Sequence, residues 1–168
     1  IAITPSTAYG IATAAQNLPL ASGQTVVVLE DQFPSNVFAW RERAQASGAE
    51  LVTVARPENN DWTTAVLEQM TARTAIVALP PCHWTDGTRL DLVAIGRRCR
   101  ELSAAFVIDA TQWIGVAKFD VNAIQADYVI CAAYKWLLGP YGLSFFYAAP
   151  KHQEGRPLVG SSCLVYTN

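Results

Sequence analysis

The stretch AFVIDATQ (residues 105–112) decides the fold, because an unbroken apolar run ends at Asp109 and polar residues follow directly. A short run that is apolar at every position is typical of a strand buried on both faces of a parallel sheet. The pattern recurs in YVICAAYKW (residues 128–136), where the apolar run leads into Tyr134 and Lys135. Both stretches therefore place chemically active side chains just after a buried strand.

Similar apolar runs recur along the whole chain, and stretches with helical spacing separate them. The predicted strands are 25–29, 51–54, 75–79, 105–108, 128–131 and 143–147, and the predicted helices are 8–17, 35–47, 63–72, 90–103 and 121–125. Ser35 and Asp61 are predicted helix caps, and Gly48 a left-handed helix stop. Alternating strands and helices predict an α/β fold with three layers, a largely parallel sheet flanked by helices.

The composition limits the classes of function. With 168 residues, 51% of them hydrophobic, the chain is long enough for one packed domain. Only 15% of the residues are charged and the net charge is -2, which argues against nucleic acid as a partner. No apolar run is long enough to span a membrane and no signal peptide opens the sequence, so we expect a cytoplasmic protein without a membrane partner.

The four cysteines favour neither a metal site nor a disulfide framework. Cys82, Cys99, Cys131 and Cys163 are widely spread and form no C-x-x-C pair. We therefore expect reduced thiols and no bound metal. His83 does not indicate a hydrolase triad, because the sequence has no G-x-S-x-G turn to present a nucleophile.

Asp109 and Lys135 together indicate a specific cofactor. A lysine in a site of low dielectric must be paired or lose its proton, and a partly deprotonated lysine is a good nucleophile for an aldehyde. The aldehyde that would explain a nearby aspartate is pyridoxal 5'-phosphate (PLP), whose pyridine nitrogen needs a carboxylate partner. Taken singly, Asp109 could cap a turn and Lys135 could point to solvent. Their occurrence after two consecutive strands favours the functional interpretation.

These motifs resemble those of a known family. Asp109-x-x-Gln112, Tyr134-Lys135-Trp136 and Gly139-Pro140-x-Gly142 resemble the class V aminotransferase-like family of fold-type I PLP enzymes, over about residues 3–150. Its members include cysteine desulfurases, kynureninases, selenocysteine lyases and isopenicillin N epimerase-like proteins. The resemblance implies that Lys135 forms a Schiff base with PLP and then moves protons at the α-carbon of the substrate.

The resemblance also assigns roles to the neighbours of Lys135. It implies that Asp109 binds the pyridine nitrogen, that Gln112 contacts the ring hydroxyl and that the Tyr134 hydroxyl reaches the phosphate. At the position of Tyr134 desulfurases more often have histidine, which favours the epimerase, lyase or kynureninase side of the family.

Three further segments resemble weaker parts of the family pattern. Ser6 and Thr7 open the first predicted helix and match the phosphate-binding turn, although an ordinary helix cap would look the same. Phe33 matches a ring that stacks on the cofactor, where desulfurases have histidine, and its alternative is simple core packing. Asp86, or Thr85 beside it, matches a loop under the cofactor, but Asp86-Gly87 is also a plain turn dipeptide.

The resemblance implies a fold-type I large domain that is truncated at both ends. Residues 1–150 would form the PLP-binding domain and residues 151–168 a tail, with the small domain absent. The implied function is a PLP-dependent transformation of an amino-acid-like substrate, of aminotransferase, epimerase or lyase type, in a homodimer. The alternative is a non-catalytic truncated fragment that keeps the fold and serves as a binding or assembly module.

Overall fold

The computed structural model describes residues 1–156 and residue 158. Its strands are β1 (Ala2–Thr4), β2 (Thr25–Leu29), β3 (Glu50–Val54), β4 (Thr74–Leu79), β5 (Ala105–Asp109), β6 (Tyr128–Ala132) and β7 (Ser144–Ala148). Its helices are α1 (Thr7–Asn17), α2 (Phe38–Ser47), α3 (Trp62–Gln69), α4 (Leu92–Glu101) and α5 (Val121–Ile124). The predicted strands and helices are confirmed to within a few residues at their ends.

All seven strands form one sheet in the order β1-β7-β6-β5-β4-β2-β3. The strands from β2 to β6 pair in parallel, whereas β7 runs antiparallel to β6 and β1 runs antiparallel to β7. The largely parallel sheet is confirmed. Two details differ from the prediction: β1 was too short to be recognised, and β7 lies near the edge with only Ser144 fully buried.

Helices cover both faces of the sheet, which confirms the three layers. On one face Ile11 of α1 and Trp40 of α2 pack with the side chains of Val26 and Val28. On the other face α3, α4 and α5 pack against the alternate residues of the same strands. Because its side chains are buried on both faces, β2 is apolar along most of its length.

The helix ends test the predicted caps. The Asp61 carboxylate accepts a hydrogen bond from the backbone N–H of Thr64, and Gly48 ends α2 with a φ of 71°, so both predictions are confirmed. The cap at Ser35 is wrong, because α2 begins at Phe38 after a separate 3-10 turn at Pro34–Asn36. The Gln32 amide binds the Asn36 carbonyl at 2.8 Å and so holds this turn apart from the helix.

A close approach places α1 over the sheet. A Cβ atom on Gly10 would lie 2.9 Å from side-chain atoms of Ile130, which is too close for any larger residue without a shift. Glycine therefore allows α1 to pack directly on β6. The first turn of α1 then reaches the end of β5, where Thr7 contacts Thr111.

The segment after β7 folds back onto the domain. His152 and Lys151 contact Asp127, and the backbone of Arg156 exchanges two hydrogen bonds with the Asn17 side chain. Of the predicted tail 151–168, residues 157 and 159–168 lie outside the described residues. Among the helices of residues 1–156, none combines the length and the apolar character that a membrane crossing requires.

Candidate active site

A cavity of about 310 Å³ lies where β5 and β6 end and α1 begins. It is lined by most of the residues that the sequence predicted for the site, namely Ser6, Thr7, Phe33, Asp109, Gln112, Tyr134 and Lys135. The structure does not bring Asp86 into this lining. A carboxylate, an amine, an amide and a helix N-terminus therefore share one enclosed space.

Asp109 is the last residue of β5 and is only 7% exposed. Burial raises the pKa of its carboxyl group, and hydrogen bonds from the Thr111 side chain and backbone oppose this rise. One of them joins the Thr111 N–H to Oδ1 at 3.1 Å. Across residues 1–156 no cationic side chain pairs with this carboxylate. Asp109 is thus a buried acid that lacks a positive partner.

Thr111 joins the three segments that build the cavity. Its hydroxyl lies 3.3 Å from the Thr7 hydroxyl of α1 and accepts a hydrogen bond from the Ala132 N–H at the end of β6. Its backbone N–H binds Asp109. Thr111 was not predicted from the sequence, although an aspartate often binds the backbone N–H two residues on in a turn.

The first turn of α1 offers backbone donors to the cavity. Ser6 is the N-cap, and its hydroxyl accepts a hydrogen bond from the Tyr9 N–H at 3.1 Å. The N–H groups of a first turn have no partner inside the helix, and the helix dipole favours an anion there. With the hydroxyls of Ser6 and Thr7 beside it, this end of the cavity suits a phosphate.

Gln112 and Tyr134 are held by aromatic neighbours. The Gln112 Oε1 atom accepts a hydrogen bond from the Trp136 indole at 3.2 Å. Its amide nitrogen makes no hydrogen bond to the described residues, so it remains a donor for a ligand. The Tyr134 ring stacks on Tyr141 with centroids 4.5 Å apart.

Lys135 departs from one expectation. It is exposed, because β6 ends at Ala132 and the chain then turns outward. Its amino group lies 5.8 Å from the centroid of the Tyr134 ring and pairs with no carboxylate of the described chain. The turn that carries it packs so closely on Gly115 that a Cβ there would lie 2.5 Å from the Trp136 carbonyl.

The loop after β2 supplies the aromatic side of the cavity. Phe33 is 43% exposed, so it is not simple core. Asn36 also lines the cavity and was missed by the sequence analysis. Its Oδ1 accepts a hydrogen bond from the Trp40 indole, whereas its buried Nδ2 has no partner among the described residues. An unpaired buried donor is costly, and a ligand acceptor would satisfy it.

Asp86 lies in the loop after β4, and its carboxylate binds other residues of the protein. Its carboxylate accepts the Thr88 N–H and pairs with the Arg56 guanidinium. The hydrogen bond from the Thr88 backbone N–H lowers the pKa of Asp86 most. The side chains of Thr88 and Arg56 lower it further, to about 2. Thr85, the alternative in the same loop, binds His83 and Arg56 instead.

Comparisons with known proteins identify relatives of this chain. A probable cysteine desulfurase from Methanothermobacter thermautotrophicus is 30% identical over 161 residues, which cover 95% of this chain and 40% of that protein. The isopenicillin N epimerase of Streptomyces clavuligerus is 24% identical over 158 residues, which are 92% of this chain and 40% of the epimerase.

Solved structures share the fold at lower identity. The cysteine desulfurase CsdA from Escherichia coli superimposes with a TM-score of 0.81 at 22% identity, over 88% of this chain and 38% of that one. The cystine C-S lyase C-DES, solved with its product cysteine persulfide, also has a TM-score of 0.81. It is 20% identical, over 89% of this chain and 41% of C-DES.

The chain spans about two fifths of the length of the curated relatives it matches. The pattern of the aminotransferase class-V family matches residues 1–166. This match covers nearly the whole sequence, and the chain therefore belongs to the class V aminotransferase family.

Proposed function

We propose that this chain is the PLP-binding part of an enzyme that transforms an amino-acid-like substrate, with Lys135 holding the cofactor in a Schiff base. The observation that carries the proposal is the shared cavity, which brings the Lys135 amine together with the buried Asp109 carboxylate. Residues 1–150 would be the cofactor-binding large domain of such an enzyme.

The donor set of the cavity fits PLP at each of its functional groups. The first turn of α1 suits a phosphate, the Asp109 carboxylate suits a pyridine N–H, and the Lys135 amine suits an aldehyde. The unpaired Nδ2 of Asn36 and the amide nitrogen of Gln112 are available for oxygen atoms of the ligand. The family and a related C-DES structure, described with glycine covalently linked to the PLP cofactor, support PLP as the cofactor.

When bound, PLP withdraws electrons from the α-carbon of an amino acid. Asp109 would keep a proton on the pyridine nitrogen, since a buried carboxylate stabilises a positive group in contact with it. Phe33 would pack against the ring and keep water from that face. Lys135 Nζ, when it is not bound to the cofactor, would take the α-proton and return it, as a flexible amine that borders both the cavity and solvent can do.

The relatives favour lyase-type chemistry within this proposal. Several of them are described as cysteine desulfurases, and C-DES is described as a cystine C-S lyase. Phe33 and Tyr134 occupy positions where the sequence motifs of desulfurases more often have histidine. We therefore include aminotransferase and epimerase chemistry as alternatives, and the epimerase relative supports the latter.

A homodimer and a cytoplasmic location belong to the same proposal. Tyr141, which lines the cavity, and Leu138, three residues before it, are exposed apolar side chains that a second copy would cover. Sedimentation equilibrium of the purified chain tests the dimer directly. A monomer at tens of micromolar would contradict this part of the proposal.

Borohydride reduction after incubation with PLP tests the central assignment. We expect a stable PLP adduct on Lys135, identified by peptide mass spectrometry, and no adduct in Lys135→Ala. Lys118→Ala is the matched control, because Lys118 does not line the cavity, and it should be labelled like the unchanged chain. The proposal would be contradicted if Lys118 and Lys151 were labelled as strongly as Lys135, or if no lysine were labelled. Either result would favour a non-catalytic fragment.

A further inference from the structure

His83 is fully buried in the loop after β4, yet it does not line the cavity. The ring stacks on Trp62 with centroids 5.2 Å apart and an angle of 3° between the planes. Both ring nitrogens lie within hydrogen-bond distance of protein atoms. The mechanism outlined above uses none of these contacts.

The partners of His83 fix its tautomer. Nε2 lies 2.9 Å from the Glu30 carbonyl oxygen, which can only accept, so Nε2 carries the hydrogen. Nδ1 lies 2.8 Å from the Thr85 hydroxyl and 3.3 Å from the Arg56 guanidinium, which can only donate. Nδ1 is therefore an acceptor in the neutral ring.

Arg56 is itself fixed around this ring. Its guanidinium pairs with Asp86, donates to the Thr85 hydroxyl and lies over the Trp62 ring at 5.3 Å from the centroid. Its backbone N–H binds the Glu30 carboxylate at 2.8 Å. We call His83, Thr85, Arg56 and Asp86 the histidine latch.

The histidine latch joins the two loops that carry the aromatic side of the cavity. His83 binds the carbonyl of Glu30, and the indole of Trp84 binds the next carbonyl, that of Asp31, at 2.7 Å. Phe33 follows two residues later and meets the Trp84 ring edge to face, with centroids 5.4 Å apart. We call Phe33 and Trp84 the aromatic wall.

The aromatic wall depends on these bonds because core packing does not hold it. Phe33 is 43% exposed and Trp84 is 46% exposed, so each ring keeps much of its surface open to the cavity and solvent. The Gln32 side chain binds the carbonyls of Asn36 and Ala78, but it makes no hydrogen bond to the described loop after β4. The two carbonyl bonds are therefore the links that set the distance between the rings.

We propose that His83 is a positioning residue, which sets the aromatic wall against the cofactor through the Glu30 carbonyl. This inference rests on the proposed function, because the wall matters only to a ligand in the cavity. Loss of the latch would leave the domain folded but let the 30–36 loop move. The predicted effect is weaker PLP binding with no loss of the reactive lysine.

Three variants separate the contacts of the ring. His83→Ala removes all of them. His83→Gln keeps a donor near the place of Nε2 and should restore the Glu30 contact, because the glutamine amide nitrogen matches that position in chain length. Thr85→Val removes the hydroxyl that binds Nδ1 and accepts from Arg56, and because Thr85 is exposed it tests the latch with little risk to folding.

His152→Ala is the matched control. His152 is the only other histidine of the sequence, and it also stacks on an aromatic ring, Tyr128, and binds a carboxylate, Asp127. It lies outside the cavity lining. This variant should lower the thermal midpoint without changing the loop or the cofactor site.

The readouts are hydrogen exchange of residues 30–36, the dissociation constant of PLP and the thermal midpoint. We expect His83→Ala to exchange faster in this loop and to bind PLP about tenfold more weakly, the scale of one or two lost hydrogen bonds. His83→Gln should recover most of the affinity, and Thr85→Val should lose about threefold. Lys135 should still be labelled in every variant.

Two results would overturn the inference: PLP affinity and loop exchange unchanged in His83→Ala, or an equal loss of affinity in His152→Ala and His83→Ala. Failure of His83→Gln to recover affinity would also count against it. If the unchanged chain binds no PLP, the proposed function fails instead. In that case, hydrogen exchange of residues 30–36 alone decides whether His83 holds this segment in place.

Discussion

Asp109 and Asp127 are both buried carboxylates, 7% and 4% exposed, and they lie at the ends of two neighbouring strands of the sheet. Asp109 ends β5 and Asp127 precedes β6, so in this parallel pair they lie at opposite ends of the strands. Asp127 accepts the Phe106 N–H at 2.8 Å, His152 at 2.7 Å and the Lys151 ammonium at 2.6 Å. Asp109 has Thr111 alone as its donor.

The difference is the one expected between a structural carboxylate and a carboxylate that binds a ligand, the role that the proposed function gives to Asp109. The partners of Asp127 come from β5 and from the turn after β7, so its bonds hold elements together. Asp109 stays under-satisfied inside a cavity, where an unpaired charge destabilises the folded chain. A protein retains such a group where a bound molecule completes it, and the pyridine nitrogen of PLP would do so.

Asp127→Ala should have the largest effect on stability. It removes a saturated buried acceptor and leaves the Phe106 N–H and the His152 ring without a partner. We expect a loss of about 3 kcal/mol in the free energy of unfolding, measured by urea denaturation. Glu154→Ala, at an exposed position, is the control and should change little. A loss below about 1 kcal/mol would show that the bonds of Asp127 do not hold these elements together.

Asp109→Asn should act in the opposite direction in the PLP-free chain at neutral pH. Replacing the under-satisfied charge by a neutral amide should raise the free energy of unfolding by about 1 kcal/mol. The same variant should bind PLP more weakly, since an amide cannot balance a protonated pyridine. Denaturation and absorbance titration measure the two effects. A destabilised variant would show that Asp109 is structural after all.

The pH dependence of stability should also show that the charged form of Asp109 destabilises the folded chain. Burial raises the folded pKa of Asp109 above its unfolded value, so the folded state holds this proton more tightly. Its stabilising contribution is full below the unfolded pKa and is lost as pH rises through the folded pKa. The stability of the unchanged chain minus that of Asp109→Asn should therefore fall with rising pH. A flat difference would contradict the raised pKa.

Lys151→Ala should have the smallest effect. Its ammonium lies 2.6 Å from Asp127, but the side chain is 69% exposed and solvent screens the pair. We expect a change of about 0.5 kcal/mol or less. His152→Ala provides the comparison, because its ring is largely covered and should cost more. Equal losses would mean that the carboxylate depends on charge rather than on buried hydrogen bonds.

The sequence predicted the alternation of elements well, because buried parallel strands are apolar throughout and surface helices are periodic. It did not predict β1, which has three residues and exists only through its pairing with β7. The antiparallel direction of β7 was equally hidden, since an apolar run does not reveal the direction of its partner. Such features depend on long-range pairing rather than on local pattern.

For the site, residues that follow strands were predictable and the residues that orient them were not. Asp109, Gln112 and Lys135 stood out by type and position, and the cavity brings them together. Thr111, Asn36 and the histidine latch could not be recognised, because a threonine or an asparagine has no distinctive role until its partners are placed. Lys135 was expected in a buried place, but the turn after β6 carries it outward.

The hydroxyl pair of Thr7 and Thr111 spans 104 positions of sequence. During synthesis α1 would leave the ribosome long before β5 and β6. Until they emerge, its first turn would lack the contact with Thr111. The pocket can close only after the ends of both strands have emerged and docked, so contacts of high sequence separation come late. Acquisition of the cofactor by a growing chain would thus mark the moment at which β5 and β6 have joined the sheet.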